Sequence, residues 1–176
     1  MKHMIKWLFL AFLALFPFSA YADRFDDVAA RCAPLRGEIE AILNEEGVST
    51  DYYYLALAES GCKPSARSSA GAVGLWQLTA PTARAHGLTV NARRDDRLDW
   101  RASTRAAARY IRGLQERFES FYWTIAAYNV GGANLAKITG FKRGCGLRVG
   151  VLKDLAPSAF ALTQTVKAWK KRGEEL

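Results

Sequence analysis

The strongest constraint on the fold is a short apolar run closed by a carboxylate. Tyr52-Tyr53-Tyr54-Leu55-Ala56-Leu57-Ala58 leads directly into Glu59-Ser60-Gly61. A glycine just past an apolar segment is a helix stop signal, so Glu59 is expected in the last turn of a helix. A carboxylate placed there faces the negative end of the helix dipole, an effect of about 0.3–1 kcal/mol at exposed sites. That field, with any partial burial, raises the carboxyl pKa and favours the protonated form. A carboxylic acid kept protonated near neutral pH suits general-acid cleavage of a sugar bond. A lone Glu at a helix end is more simply a solvated side chain, and it is the segments downstream that change this reading.

Most of the chain carries helical signals. Asp26 to Leu43 has apolar residues at helical spacing, with Pro34 expected to break the pattern near its start. Ser49 or Thr50 can cap the helix that ends at Glu59. Lys63 to Gly74 is rich in Ser, Ala and Gly, with Pro64 early, which predicts a loop with at most a weak β-ribbon. Thr79 or Ala80 opens a helix with Pro81 in its first turn, running towards His86-Gly87. Ser103 or Thr104 begins the next, through Arg105 to Leu114. Ser120 caps the very apolar Phe121 to Tyr128, Gly131-Gly132 break the chain, and Ala133 to Ile138 form a short helix. Pro157-Ser158 introduce the last helix, reaching about Lys171. The expected fold is therefore mainly α, with little or no sheet.

Lys2, His3 and Lys6 precede the almost wholly apolar Trp7 to Phe18, and Ala20-Tyr21-Ala22 has a small-x-small pattern. Residues 1–22 thus read as a cleavable secretory signal peptide, too short for a comfortable membrane span of around 20 residues. With no Cys at the cleavage point, a lipoprotein anchor is not expected. Residues 23–176 suit one compact helical domain, exported to the periplasm or secreted. Loss of Lys2 and Lys6 takes the net charge from +8 to +6, 23 basic against 17 acidic residues. Such a protein is drawn to polyanionic surfaces such as cell-wall polymers or anionic lipid heads. Its basic residues are scattered, and no nucleic-acid module is recognisable, so nucleic acid is not an expected partner.

Cys32, Cys62 and Cys145 survive cleavage. Export favours a disulfide, and an odd count leaves one thiol over. A bridge to Cys62 would brace the helix end at Glu59. Cys145, in a Gly-flanked loop, is one partner and Cys32, on the first helix, is the alternative; sequence does not choose between them. His3 and His86 are the only histidines, which disfavours a Cys nucleophile and a metal site. Neither metal nor cofactor is expected.

Three separated segments resemble a known family. Glu59-Ser60, then Pro64, Ala66 and Ser68, then Gly71-Ala72-Val73-Gly74-Leu75-Trp76-Gln77-Leu78 is similar to the first signature of the soluble-lytic-transglycosylase (SLT) type catalytic domain. Asp96-Arg97-Leu98-Asp99 with Ser103-Thr104 and Ala106 to Ile111 resembles the helix that follows in the membrane-bound D-type subgroup. Ala126-Ala127-Tyr128-Asn129-Val130-Gly131 resembles the Ala-Tyr-Asn-x-Gly motif. The resemblance covers about residues 50–140.

It implies a lysozyme-like fold with a glycan-binding groove, and cleavage of the β-1,4 bond between N-acetylmuramic acid and N-acetylglucosamine in peptidoglycan. Glu59 matches the acid/base, which would protonate the glycosidic oxygen and then deprotonate the sugar's own C6 hydroxyl, closing a 1,6-anhydro ring. Ser68 matches a Ser near the acid, Gln77 a substrate-binding amide, and Tyr128 a Tyr whose hydroxyl approaches the scissile sugar. Gly71 and Gly74 match places where the backbone bends close to the sugar. Trp76 is equally a stacking platform or core. Asn129 is expected to tie down its turn through side-chain to backbone bonds. One departure is Thr79, where the family usually has a groove-lining Met, with Pro81 displaced by one.

Ordinary glycosidases use two carboxyls about 5–9.5 Å apart, and here the candidates are Asp95, Asp96 and Asp99, whose plainer role is capping and ion pairing. If one reached the groove, a water-using goose-type lysozyme would result. A catalytically inactive glycan-binding or assembly protein is the non-enzymatic alternative. The resemblance also raises an envelope-spanning secretion, conjugation or pilus apparatus as a partner of a monomeric enzyme.

Overall fold

The computed structural model describes residues 18–140 and 152–175, and nearly every helix in it starts or stops at a residue that local chemistry marks. The helices are α1 (Phe18–Glu45), α2 (Tyr53–Ser60), α3 (Ala80–Ala85), α4 (Trp100–Phe118), α5 (Phe121–Val130), α6 (Gly132–Thr139), α7 (Leu152–Leu155) and α8 (Pro157–Glu174). Single 3-10 turns at Thr50–Tyr52 and Asp96–Leu98 precede α2 and α4. Among the described residues the only β pairing is three isolated bridges, Arg67 with Val73, Val73 with Leu78, and Val90 with Asp95. The mainly helical expectation holds, and the weak ribbon signal near Lys63–Gly74 shrinks to two of these bridges.

Several boundaries differ from expectation; α1, expected from Asp26, already starts at Phe18. α1 runs unbroken through Pro34, although an interior proline costs about 3 kcal/mol. Val28, Cys32, Ile39, Ile42 and Leu43 of the same helix are buried, and burying a large apolar side chain gains about 1.5–3 kcal/mol, so packing outweighs the lost backbone bond. α4 begins at Trp100 rather than at Ser103 or Thr104. Asp99 caps it, its carboxylate accepting from the amides of Arg101 and Ala102 at 2.9 and 3.1 Å. Ser103 and Thr104 are instead buried inside the first turn, donating back to the Trp100 carbonyl at 3.2 and 2.6 Å.

The described residues group into two compact units, residues 26–113 and residues 18–25 with 114–140 and 152–175. In the first, Tyr52 and Tyr53 to Leu57 of α2 are all buried, as are Leu75, Trp76, Ala106, Ala107, Ala108 and Ile111. Arginines at helical spacing on α4 reach acids of α1: Arg101 to Glu38 at 2.7 Å, Arg105 to Glu45 at 3.2 Å and Arg109 to Glu46 at 3.0 Å. Exposed pairs of this kind contribute about 0–1 kcal/mol each, so they set register more than stability. In the second unit α5 packs against α6 and α8, and α7 against α8. Trp123, Ile125, Leu135, Leu162, Val166 and Trp169 supply its core. Gly132 lets α6 approach the end of α4, since a Cβ there would lie 2.8 Å from Leu114 Cδ2.

Candidate functional site

Glu59 occupies the last turn of α2, as its sequence position predicts. Gly61 closes the helix in the left-handed conformation (φ 61°), its N–H donating to the Leu57 carbonyl at 2.8 Å. Ser60 turns the chain, donating its hydroxyl to the Ala56 carbonyl and accepting from the Lys63 amide at 3.2 Å. Some of the Glu59 surface reaches solvent, as an acid that meets a substrate requires. Protein packed around the carboxyl nevertheless pushes its pKa up to about 8 by desolvation. Desolvation thus favours the protonated form of the side chain at neutral pH.

The helix end is braced from α1. Cys62 forms a disulfide with Cys32, with Cα atoms 5.5 Å apart, inside the usual range for such bridges. This corrects the Cys62–Cys145 pairing in favour of the Cys32 alternative; Cys145 lies outside the described residues. The reason is proximity set by helix packing: one residue before Cys32, Arg31 donates to the Gly61 carbonyl at 2.6 Å.

The loop after α2 carries the other candidates of the first unit. Ser68 closes a tight turn, its hydroxyl accepting from the Ala72 amide at 3.0 Å and its own amide donating to the Ala72 carbonyl at 2.9 Å. Gly71 has φ 81°, a conformation that favours glycine, and open space beside it. Gly74, at φ 87°, is a glycine for a stronger reason: a Cβ would lie 2.0 Å from the Arg97 carbonyl oxygen. The close approach expected there is thus made by the protein's own backbone.

Gln77 adopts φ 48°, a conformation uncommon outside glycine and enriched at ligand sites. Its side-chain amide donates to the Gly74 and Ala66 carbonyls at 2.9 and 3.3 Å. Both N–H groups are thereby engaged, which leaves the side-chain oxygen as the remaining polar atom of the amide. Trp76, one residue earlier, is fully buried, and its indole N–H donates to the Thr104 hydroxyl at 2.8 Å. The stacking role is therefore corrected to an anchor of the loop on α4, because no face of the ring reaches solvent. Thr79 caps α3, accepting from the Thr82 amide, which gives the departure from the family pattern a local purpose.

The three aspartates are committed elsewhere. Asp95 caps the turn at Asp96–Leu98 and pairs with Arg97, whose hydrogen bond holds its carboxyl below the usual carboxylate range. Asp96 accepts from the Thr89 amide at 2.8 Å and pairs with Arg94. Asp99 caps α4. Among the described residues no group of His, Cys, Asp and Glu side chains is arranged to hold a metal ion.

Tyr128 and Asn129 belong to the second unit, at the end of α5 before Gly131 (φ 84°). Tyr128 is buried and Asn129 exposed. Asn129 Oδ1 accepts from the Ser158 hydroxyl at 3.0 Å, so it ties α5 to the start of α8 through a side chain rather than through the backbone of its own turn. Sequence reasoning missed one residue of consequence, Arg97. It appears in the sequence only as one member of the Asp96-Arg97-Leu98-Asp99 resemblance, with nothing to mark it as buried, yet it is 6% exposed.

Residues 38–143 match a family model described as the transglycosylase SLT domain. The membrane-bound lytic murein transglycosylase D of Escherichia coli (strain K12) is 31% identical over 159 residues, covering 85% of this chain and 35% of that protein. The membrane-bound lytic murein transglycosylase F of Shewanella woodyi is 30% identical over 123 residues, 66% of this chain and 24% of that protein. The chain thus spans about a third or less of the length of these relatives. Among solved structures, an inactive mutant of the lytic transglycosylase Slt from Pseudomonas aeruginosa superposes with a TM-score of 0.63. It has 21% identity and covers 80% of this chain and 24% of that one, a likeness of fold.

Proposed function

This chain belongs to the transglycosylase SLT domain family, and we propose that it is a lytic transglycosylase that cleaves the N-acetylmuramic acid–N-acetylglucosamine bond of peptidoglycan without water. The observation that carries the reading is Glu59, a partly accessible carboxyl whose surroundings keep it protonated up to about pH 8. Such a group donates its proton to the glycosidic oxygen as the bond breaks and positive charge develops at the anomeric carbon. The resulting carboxylate, disfavoured where it sits, takes the proton of the C6 hydroxyl as that oxygen bonds to the anomeric carbon. Electrons and protons balance: the leaving sugar keeps the first proton, Glu59 recovers one, and a 1,6-anhydro ring forms.

The commitment of Asp95, Asp96 and Asp99 to caps and ion pairs supports one acid rather than two. Gln77 Oε1 accepts from a sugar hydroxyl or acetamido N–H, while Ser68 shapes the loop that carries it. The protein works outside the cytoplasm, a reading supported by the basic-then-apolar start of the chain and by the Cys32–Cys62 disulfide, a bond that persists in oxidising compartments. Among the described residues no helix is long and apolar enough to cross a membrane.

Mass spectrometry of digested sacculi tests the chemistry. Non-hydrolytic products are about 18 Da, one water, lighter than the corresponding reducing fragments. Reducing ends would instead identify a hydrolase, and glycan binding without cleavage would identify an inactive binder.

A further inference from the structure

Arg97 touches the Gly71–Leu78 loop at three places. Its Nη1 donates to the Gly71 carbonyl at 3.0 Å and to the Leu78 carbonyl at 3.1 Å, the two ends of the segment that carries Gln77. Its own carbonyl oxygen fills the space beside the Gly74 Cα. The rest of the guanidinium is held by Asp95, with Nε to Oδ1 and Nη2 to Oδ2 both at 2.8 Å, while Asp95 Oδ1 also accepts from the Arg97 amide. A buried charge is retained at a desolvation cost and needs full pairing. The planar fork supplies fixed angles that a point charge on a flexible stem does not. The loop meanwhile holds Gln77 in a strained left-handed backbone conformation with its amide N–H groups turned inward.

Resting on the reading above, we propose that Asp95 and Arg97 form a positioning pair that fixes the Gly71–Leu78 loop so that Gln77 Oε1 faces the glycan. Arg97 does not touch substrate; it acts through Gln77. Lysine at 97 keeps the charge, but a single ammonium cannot grip both Asp95 oxygens and both loop carbonyls.

The test is a kinetic cycle on soluble glycan-strand fragments with the wild type, Arg97→Lys, Gln77→Ala and the double variant. Loss of one well-oriented hydrogen bond to substrate predicts that Arg97→Lys raises KM about tenfold with kcat little changed. The pH at which kcat falls stays put, because Glu59 is outside the clamp. In the Gln77→Ala background Arg97→Lys adds no further rise in KM. Hydrogen exchange, which needs no substrate, should show the Val73 and Gln77 amides exchanging faster while those of α1 keep their protection. Should Arg97→Lys fail to fold, Asp95→Asn, close to isosteric, carries the same cycle. An unchanged KM, a fall confined to kcat, or KM effects that multiply in the double variant would overturn the proposal. A wild type that neither binds nor cleaves wall glycan overturns the enzymatic reading together with this one. Active wild type beside an Arg97→Lys variant of unaltered KM overturns the positioning role alone.

Discussion

The helix ends of α2 and α5 each present motif residues, and they are secured in different ways. α2 ends at Glu59 under a left-handed glycine, a disulfide from Cys62 to α1, and a hydrogen bond from Arg31 to the Gly61 carbonyl. α5 carries Tyr128 and Asn129 in its last turn, with an apolar body packed on α6 and α8 and a hydrogen bond from the Ser158 hydroxyl to Asn129 Oδ1. The difference follows from what each end holds. A carboxyl stays protonated at neutral pH only while its desolvated surroundings persist, so loosening the α2 end would return Glu59 towards an ordinary acid. The α5 end holds no carboxyl, so no such electrostatic demand falls on it.

The largest effect expected from breaking this contrast is on chemistry. Glu59→Gln should lower the cleavage rate by about a thousandfold or more while glycan binding survives; residual cleavage near the wild-type rate would remove Glu59 from the mechanism. The same variant sharpens the electrostatic half of the comparison. The Glu59 carboxyl is raised from 4.5 to about 8 in the folded protein. Its neutral form is therefore favoured by folding, and that stability is fully present below about pH 4.5. It is lost progressively as the pH rises towards 8. Wild-type activity should fall above about pH 8 as the acid ionises. Thermal melts from pH 4 to 9 should show a loss of stability in the wild type that Glu59→Gln lacks, and parallel curves would contradict the desolvated acid.

Next in size is the loop beside α2. Gly74→Ala forces a Cβ against the Arg97 carbonyl at a positive φ, and should cost about 3 kcal/mol or more, measurable by denaturant unfolding. Removing the disulfide with Cys32→Ala and Cys62→Ala should cost about 2–4 kcal/mol. If the brace serves the acid, the alkaline limb of the activity profile should also move to lower pH. The smallest effect belongs to the α5 end, where Asn129→Ala should cost about 0.5–1.5 kcal/mol with no change in that limb. A pH shift from Asn129→Ala would erase the distinction between the two ends.

Local chemistry marked most of what could be read along the chain. Thr79, Ser120 and Gly61 sit where caps were expected because a cap bonds to residues three or four positions away. Ser103 lost its capping role to Asp99 for an equally local reason, since the carboxylate stands one turn earlier. The reading weakened wherever partners are distant. Trp76 looked equally like a sugar platform or core until Thr104, 28 residues later, took its indole N–H. Arg97 stood in the Asp96-Arg97-Leu98-Asp99 resemblance, but its role was hidden because the carbonyls it holds lie 26 and 19 residues upstream.

By itself the amino-acid order determined the helices, the place of Glu59 at a helix terminus, and the family signatures around it, all carried by contacts within a turn or two of chain. Tertiary structure alone decided that Cys62 pairs with Cys32 and that α1 runs through Pro34. It also decided that Gln77 is held with only its oxygen to offer. Those outcomes depend on which surfaces exclude water together and which backbone groups then need partners. Hydrogen bonds and desolvation act between atoms brought together in space, whatever their separation along the chain.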